Sequence, residues 1–191
     1  LADSAGFSSF RDRLTSVLRE SFGQDRIDFL VNNAGYGLFK PFAETTSDEL
    51  DAQYAVHIKG PFLLTQSLAD LIADGGRILN VSSGLTRMTF AGYDAYSIMK
   101  GGVEVMTRYQ AAAFAGRGIA VNTLAPGAIE TDFGGGAVRD DAALNKQIAD
   151  MTAMGRVGLP EDIGSAVTGL LTGGSTWMTG QRIEVSGGQG L

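Results

Sequence analysis

The sequence contains no cysteine, which excludes disulfide bonds, thiolate nucleophiles and cysteine-ligated metal ions. We expect no metal site, and the lack of cysteine fits a cytoplasmic protein. No apolar run approaches the ~18 residues that a membrane-spanning helix needs, so no membrane partner is expected. The net charge is −6 without a clustered basic stripe, which argues against a nucleic-acid partner.

What is present is the composition of one globular domain over residues 1–191. The apolar fraction is 44% and the charged fraction is 19%, which is typical of a folded protein. Glycine occurs 27 times, about twice its usual ~7% share. Many glycines allow tight turns and close backbone approaches, which α/β nucleotide-binding folds require.

Hydrophobic periodicity predicts alternating helices and strands along the chain. Helices are predicted at 7–23, 45–75, 94–116, 140–151 and 160–171, and strands at 27–31, 76–83, 118–127 and 181–188. Alternation of this kind predicts an α/β fold with a doubly wound parallel sheet and helices on both faces.

Local signals mark several helix ends. Gly23 is a typical helix terminator, Thr46 and Glu49 form a capping box, and Pro160 stands at a first helical position. Pro61 is expected to kink the helix predicted at 45–75 or to mark a local break, because proline lacks the backbone N–H that the helix ladder needs.

Small and polar residues follow three of the predicted strands: "NNAG" (32–35), "SS" (82–83) and "APG" (125–127). In open parallel sheets, ligands bind at the carboxyl ends of the strands. We therefore look for chemistry at this edge of the sheet.

One helix opens with Tyr96 and Lys100, four residues apart, and Ser83 lies thirteen residues before the tyrosine. Four residues place the phenol and the amine on the same helix face. A nearby ammonium favours the phenolate, so we expect Lys100 to lower the pKa of Tyr96 from its usual ~10. Alone, this pair is an ordinary pair on a helix surface. Ser82 is the alternative to Ser83, and Tyr93 is the alternative to Tyr96.

The ordered set "NNAG", Ser83, Tyr96-x-x-x-Lys100 and "PGAIET" (126–131) resembles the short-chain dehydrogenase/reductase family, from about Phe7 to the C-terminus. The resemblance implies a Rossmann-like fold and an oxidoreductase that interconverts a carbonyl and an alcohol. It implies that Tyr96 is the general acid/base, that Lys100 also binds the nicotinamide ribose, and that Ser83 hydrogen-bonds the carbonyl oxygen.

The resemblance also implies an NAD or NADP cofactor, without distinguishing the two, and a small carbonyl or alcohol substrate. Members that act on 3-oxoacyl-carrier proteins or on secondary alcohols are the nearest in character. The cofactor contacts implied are these: Asn33, Ala34, Gly35, Tyr96, Lys100, Pro126, Gly127, Ile129 and Thr131. The long segment at about 132–156 is expected to be a substrate lid, since it exceeds an ordinary connection.

His57 departs from the family pattern, which usually has an asparagine there that helps bind a proton-relaying water. Two interpretations stay open. His57 either takes over the water contact through one ring nitrogen, or it is a tolerated helix residue packed near the site.

The family's glycine-rich TGxxxGxG turn has no counterpart in this chain. We expect the chain to begin after the family's third strand, lacking on the order of 60 residues, with strand 27–31 left as an exposed apolar edge. Two alternatives to an active enzyme follow: a binding protein that keeps the fold without turnover, or an inactive fragment.

A homodimer or homotetramer is expected. The resemblance implies a four-helix dimer interface at 45–74 and 94–116, and a second interface at the final strand. Gly101 and Gly102 each destabilise a helix by about 1 kcal/mol relative to alanine, and they would allow close helix approach between subunits. The alternative is that both glycines pack within the subunit.

Overall fold

The computed structural model describes residues 1–174 and 176–191. Four parallel strands form one sheet in the order β1-β2-β3-β4. The strands are β1 (Ile27–Asn32), β2 (Ile72–Val81), β3 (Ala120–Pro126) and β4 (Arg182–Val185). The helices are α1 (Phe7–Phe22), α2 (Ser47–Tyr54), α3 (Gly60–Leu68), α4 (Asp94–Phe114), α5 (Ala137–Asp140), α6 (Ala142–Asp150) and α7 (Pro160–Thr172). The predicted α/β fold with a parallel sheet is confirmed.

Strand burial follows position in the sheet. In the inner strand β3, every residue from Ala120 to Ala125 is buried, whereas the edge strand β1 leaves Phe29 42% and Val31 38% exposed. Parallel sheets are normally covered on both faces, so β1 is the apolar edge that the sequence predicted.

A buried polar network joins the sheet to helices α3 and α4. Asn32 of β1 donates from Nδ2 to Asn80 Oδ1 of β2 (2.8 Å) and to Thr65 of α3. Asn80 in turn donates to Thr107 and Gln110 of α4. The buried amides of Asn32 and Asn80 thereby find partners, and the register of β1 against β2 is fixed by side chains as well as backbone.

The helix predicted at 45–75 is interrupted by a π-helical turn at Ala55–Lys59, which agrees with the break expected at Pro61. Its predicted end is wrong, because α3 ends at Leu68 and β2 begins at Ile72 rather than at 76. The wide turn lies just before Pro61, whose ring and missing N–H prevent a regular α-helical bond to residue 57. The capping box of Thr46 with Glu49 is confirmed.

The early end of α3 has a tertiary cause. Arg117, which follows α4, donates to the carbonyl of Ala69 (2.6 Å) and to that of Ile72, and it pairs with Asp74. Ile72 is fully buried and faces Ile27 of β1. Sheet pairing and a distant guanidinium therefore outweigh the local apolar periodicity, which continues past Leu68.

No helix in the described part of the chain is long and apolar enough to cross a membrane. The same residues hold no group of three or more histidine, aspartate or glutamate side chains that could bind a metal ion.

Candidate active site

A cavity of about 410 Å³ opens where the strands end. Its wall includes Ser83, which follows β2, and both Tyr96 and Lys100 from the first turns of α4. The predicted cofactor contacts that line it are Asn33, Gly35, Pro126, Gly127, Ile129 and Thr131. The fold thus brings the separate sequence motifs to one edge of the sheet, as the carboxyl-end rule predicts.

Two predicted residues lie elsewhere. Ala34 and His57 line a second cavity of about 10 Å³, which also borders Lys100. This volume is about that of one water-sized sphere. Lys100 and Val81 line both cavities and lie between them.

Tyr96 and Lys100 share one face of α4, as predicted. They are 6% and 5% exposed, and the Lys100 Nζ lies 5.6 Å from the centroid of the Tyr96 ring. Nζ donates one hydrogen bond, to the carbonyl of Val81 at 2.8 Å. An ammonium has three N–H groups, so two remain for other partners.

The prediction that Lys100 lowers the pKa of Tyr96 is wrong for this structure. Burial raises the pKa of Tyr96 to about 12, although the neighbouring Ser83 side chain pulls it down. Burial also lowers the pKa of Lys100 to about 8. Burial removes both groups from water and disfavours their charged forms, the phenolate and the ammonium. Its effect on the pKa of Tyr96 exceeds the stabilisation of the phenolate expected from a lysine four residues away.

The two adjacent serines have different surroundings. Ser83 accepts a hydrogen bond from the Leu85 amide (3.2 Å) and lies beside the Tyr96 phenol. Ser82 is 2% exposed, and its hydroxyl lies 2.8 Å from Glu104 Oε1 and 3.1 Å from the Lys100 carbonyl. Ser82 is therefore occupied by structural contacts, and Ser83 is the serine that faces Tyr96.

The carboxylate of Glu104 organises the back of the site, and the sequence analysis missed it. It accepts from Ser82, from Thr86 (2.6 Å) and from Arg182 of β4 (2.8 Å). A carboxylate that accepts several hydrogen bonds holds its donors in fixed positions. Glu104 thereby ties the end of β2 to both α4 and β4.

His57 is 1% exposed and lies on the π-helical turn. Its Nε2 is 2.9 Å from the carbonyl of Tyr36, and because a carbonyl only accepts, Nε2 carries the hydrogen. The lone pair of Nδ1 then has no protein partner among the described residues. A Cβ on Gly35 would lie 2.7 Å from the His57 ring and 3.7 Å from Lys100 Nζ, so both groups border Gly35 closely.

The lowered pKa of His57 predicts that the stability of the fold depends on pH. Burial, and secondarily the Lys100 charge, lower its pKa from 6.5 to about 4. Between these values the unfolded chain binds the proton that the folded chain rejects, so stability falls as pH falls. We expect the free energy of unfolding to drop by about 2 kcal/mol more between pH 7 and pH 5 in the wild type than in His57→Asn.

Denaturant titrations of both proteins at the two pH values measure this difference, and the asparagine variant controls for all other titrating groups. An equal loss in the two proteins would show that folding does not lower the pKa of His57.

Segment 126–131 is held by the C-terminal segment. Gln189 Oε1 accepts from the Ala128 amide at 2.9 Å, and the Gly127 amide donates to Val185 of β4. A Cβ at Gly127 would lie 2.9 Å from Ser186, so glycine is required at this crossing. The predicted motif is thus positioned by residues about 60 positions later in the chain, a contact that its own sequence does not indicate.

The cavity fits the nicotinamide end of a dinucleotide. Two N–H groups of Lys100 have no partner among the described residues, and one of them suits a ribose hydroxyl. Thr131 offers a hydroxyl and Ile129 an apolar surface in the same cavity. Gly35 keeps the approach along β1 free of a side chain. Fold and site together define a class: a dinucleotide-dependent α/β enzyme with a serine, a tyrosine and a lysine at the strand ends.

Comparisons with known proteins agree with this class. A family model described as "Enoyl-(Acyl carrier protein) reductase" matches residues 9–189. "Dehydrogenase OXI1" of Cochliobolus heterostrophus is 34% identical over 171 residues, covering 88% of this chain and 73% of the relative. The chain spans between 65% and 73% of the length of four curated relatives.

Two solved structures are similar over almost the whole chain. The reductase LugOII, described as catalysing keto-reduction at C1 in lugdunomycin biosynthesis, superposes with a TM-score of 0.91 at 40% identity, covering 98% of this chain and 73% of its own. The angucycline C-6 ketoreductase LanV with bound NADP has a TM-score of 0.91 at 32% identity, covering 100% and 73%.

The chain belongs to the short-chain dehydrogenase/reductase family. It is by class an NAD(P)-dependent oxidoreductase that interconverts a carbonyl and an alcohol.

Proposed function

We propose that the protein reduces a ketone to a secondary alcohol, with Tyr96 as the proton donor. One observation supports this most strongly: Ser83, Tyr96 and Lys100 converge on the cavity that segment 126–131 also lines. Because the pKa of Tyr96 is about 12, its phenol carries a proton at neutral pH, as a general acid must.

In this proposal the reaction needs three groups of the chain. Ser83 donates a hydrogen bond to the substrate oxygen and polarises the carbonyl. Tyr96 delivers a proton to the same oxygen as negative charge develops there, and Lys100, still largely protonated at pH 7, stabilises the phenolate left behind. A bound NADH or NADPH supplies the hydride. Asn33, Ala34, Gly35, Pro126, Gly127, Ile129 and Thr131 hold the cofactor.

His57 is proposed as a positioning residue behind Lys100. Its Nδ1 lone pair is buried, and the small cavity that His57, Ala34 and Lys100 share is of a size for one water. A water there would accept from Lys100 and donate to His57, which is the contact that asparagine supports in the family.

Residues 1–191 are proposed to act as one domain in which 132–156 is the substrate lid. The segment carries α5 and α6, and Leu144 and Ile148 of α6 line the cavity that Ser83 also lines. Gly134, Gly135 and Gly136 all have positive φ, a conformation that glycine adopts without strain. These three residues are the natural hinge.

We propose assembly through the outer faces of α3 and α4, where Phe62, Ile98 and Tyr109 are 50%, 62% and 76% exposed. Gly101 has open space above it, whereas a Cβ at Gly102 would lie 2.8 Å from Ile58 of the same chain. Gly102 therefore packs within the subunit, and only Gly101 is left for an interface. Light scattering should give a dimer or tetramer, and a stable monomer would refute the proposal.

The function is tested by following the absorbance of NADPH and NADH at 340 nm with the whole protein and a panel of ketones. We expect cofactor oxidation that requires the ketone. Cofactor binding without oxidation across the panel would support the binding-protein alternative, and loss of both would support an inactive fragment.

A further inference from the structure

Much of the lining of the large cavity is apolar. Its aliphatic lining comes from the turn after β2 and from the lid and α7: Leu85, Met88, Val138, Leu144, Ile148 and Ile163. A wall of this kind binds apolar groups and offers few hydrogen-bond partners to a hydroxylated sugar, whose polar groups would lose their water without replacement.

Aromatic rings surround the phenol of Tyr96. The ring centroid of Phe133 is 5.6 Å from that of Tyr96, and the Tyr93 centroid is 6.1 Å away on another side. Phe90 continues the wall, 6.1 Å from Tyr93. These spacings are those of interacting aromatic pairs, and a flat aromatic ligand can add to the cluster by stacking or by edge contacts.

The rings of Phe133, Tyr93 and Phe90 form an aromatic wall that is in place without a ligand. A Cβ on Gly37 would lie 2.8 Å from Cζ of Phe133 and 3.1 Å from Cε1 of Tyr93, so the backbone of this loop supports both rings from behind. Phe133 is nevertheless 40% exposed and Phe90 39%, although both line the cavity. Their rings therefore present apolar surface that a ligand can cover.

Charge near the cavity does not suit a phosphate-bearing substrate. Among the described lining residues, Lys100 is the only basic one, and it is buried against Val81. The arginines next to lining residues are already paired. Arg87 binds Glu184 at 2.7 Å, and Arg139 binds Asp132 and Asp140 at 2.7 and 2.8 Å.

We infer that the substrate is a flat, uncharged ketone fused to an aromatic ring, bound with that ring among Phe133, Tyr93 and Phe90 and its carbonyl at Ser83 and Tyr96. This rests on the proposed function and narrows it. It disfavours substrates whose phosphate would lie inside the cavity, and it disfavours sugars. In the reaction, C=O becomes CH–OH, with hydride from NAD(P)H and the proton from Tyr96.

Matched ketones test the inference. In 2-tetralone a benzene ring is fused to cyclohexanone without conjugation to the carbonyl, so the two ketones differ chiefly in the aromatic surface that they offer. We expect kcat/KM for 2-tetralone to exceed that for cyclohexanone, and that for acetoacetyl-coenzyme A, at least about 10-fold. Equal values for 2-tetralone and cyclohexanone would overturn the inference while leaving ketone reduction itself intact.

A pair of variants tests whether the aromatic wall causes the preference for 2-tetralone over cyclohexanone. Phe133→Leu should lower the ratio of the 2-tetralone and cyclohexanone values about 5-fold. Phe42→Leu is the matched control, because Phe42 is 76% exposed and does not line the cavity; its ratio should equal that of the wild type. An unchanged ratio in Phe133→Leu would contradict the assignment.

A binding measurement distinguishes failure of this inference from failure of the proposed function. If no ketone is turned over, titration calorimetry with 2-naphthol on the NADP-loaded protein still decides it. Tighter binding to the wild type than to Phe133→Leu, by about 5-fold, would support an aromatic site without reduction. No binding of 2-naphthol to the wild type would overturn it.

Discussion

Replacing Tyr96 by phenylalanine should lower kcat for ketone reduction by about 10²- to 10⁴-fold, the usual contribution of a positioned general acid. The ring stays in place, so the packing of Tyr96 against Phe133 and Tyr93 is kept and cofactor affinity should change little. Stopped-flow or steady-state NADPH oxidation measures kcat, and fluorescence titration of NADPH measures binding.

Tyr93→Phe is the comparison, since Tyr93 is the competing phenol of the same helix start. Its ring lines the cavity, but no lysine lies one turn further on. We expect its kcat to fall far less than that of Tyr96→Phe. The reverse order would show that Tyr93 is the proton donor.

Replacing Ser83 by alanine should lower kcat by about 10²- to 10³-fold, the effect of removing one hydrogen-bond donor to a developing oxyanion. Ser83 has no contact with Glu104 of the kind that Ser82 makes, so global stability should change little. Turnover measured beside thermal unfolding distinguishes the two effects.

Ser82→Ala is the matched control, and the expected pattern is reversed. Its buried hydroxyl bonds Glu104, and leaving that carboxylate short of one donor should reduce the free energy of unfolding by about 1–3 kcal/mol. Turnover should be affected much less than in Ser83→Ala. If Ser82→Ala lost turnover as severely while stability held, the assignment of Ser83 would be incorrect.

Much of the fold followed from local signals. The structure confirms the capping box at Thr46, Gly23 as helix terminator and Pro160 at the start of α7. Each of these signals acts within one helical turn. The end of α3 at Leu68 was not predictable in this way. It depends on Arg117 and on the pairing of Ile72 with β1, which are about 45 residues away.

The site likewise has features that the sequence predicted and features that depend on distant contacts. Ser83, Tyr96 and Lys100 were identifiable because their spacing matches the motif of the short-chain dehydrogenase/reductase family, and the structure places all three on one cavity. The high pKa of Tyr96 was not, because burial depends on the whole cavity. Glu104, Gln189 and Phe133 also escaped notice; their roles arise from contacts with residues that are distant in sequence or unrelated to any motif.

The most direct test of the account is the fate of the hydride and its dependence on Tyr96. The whole protein is incubated with 2-tetralone and NADPH deuterated at C4, on the hydrogen that is transferred, and the alcohol is analysed by mass spectrometry. The account predicts one deuterium per alcohol in the wild type and an alcohol yield at least about 100-fold lower at equal time in Tyr96→Phe. Undeuterated alcohol, or equal yields from the two proteins, would contradict it.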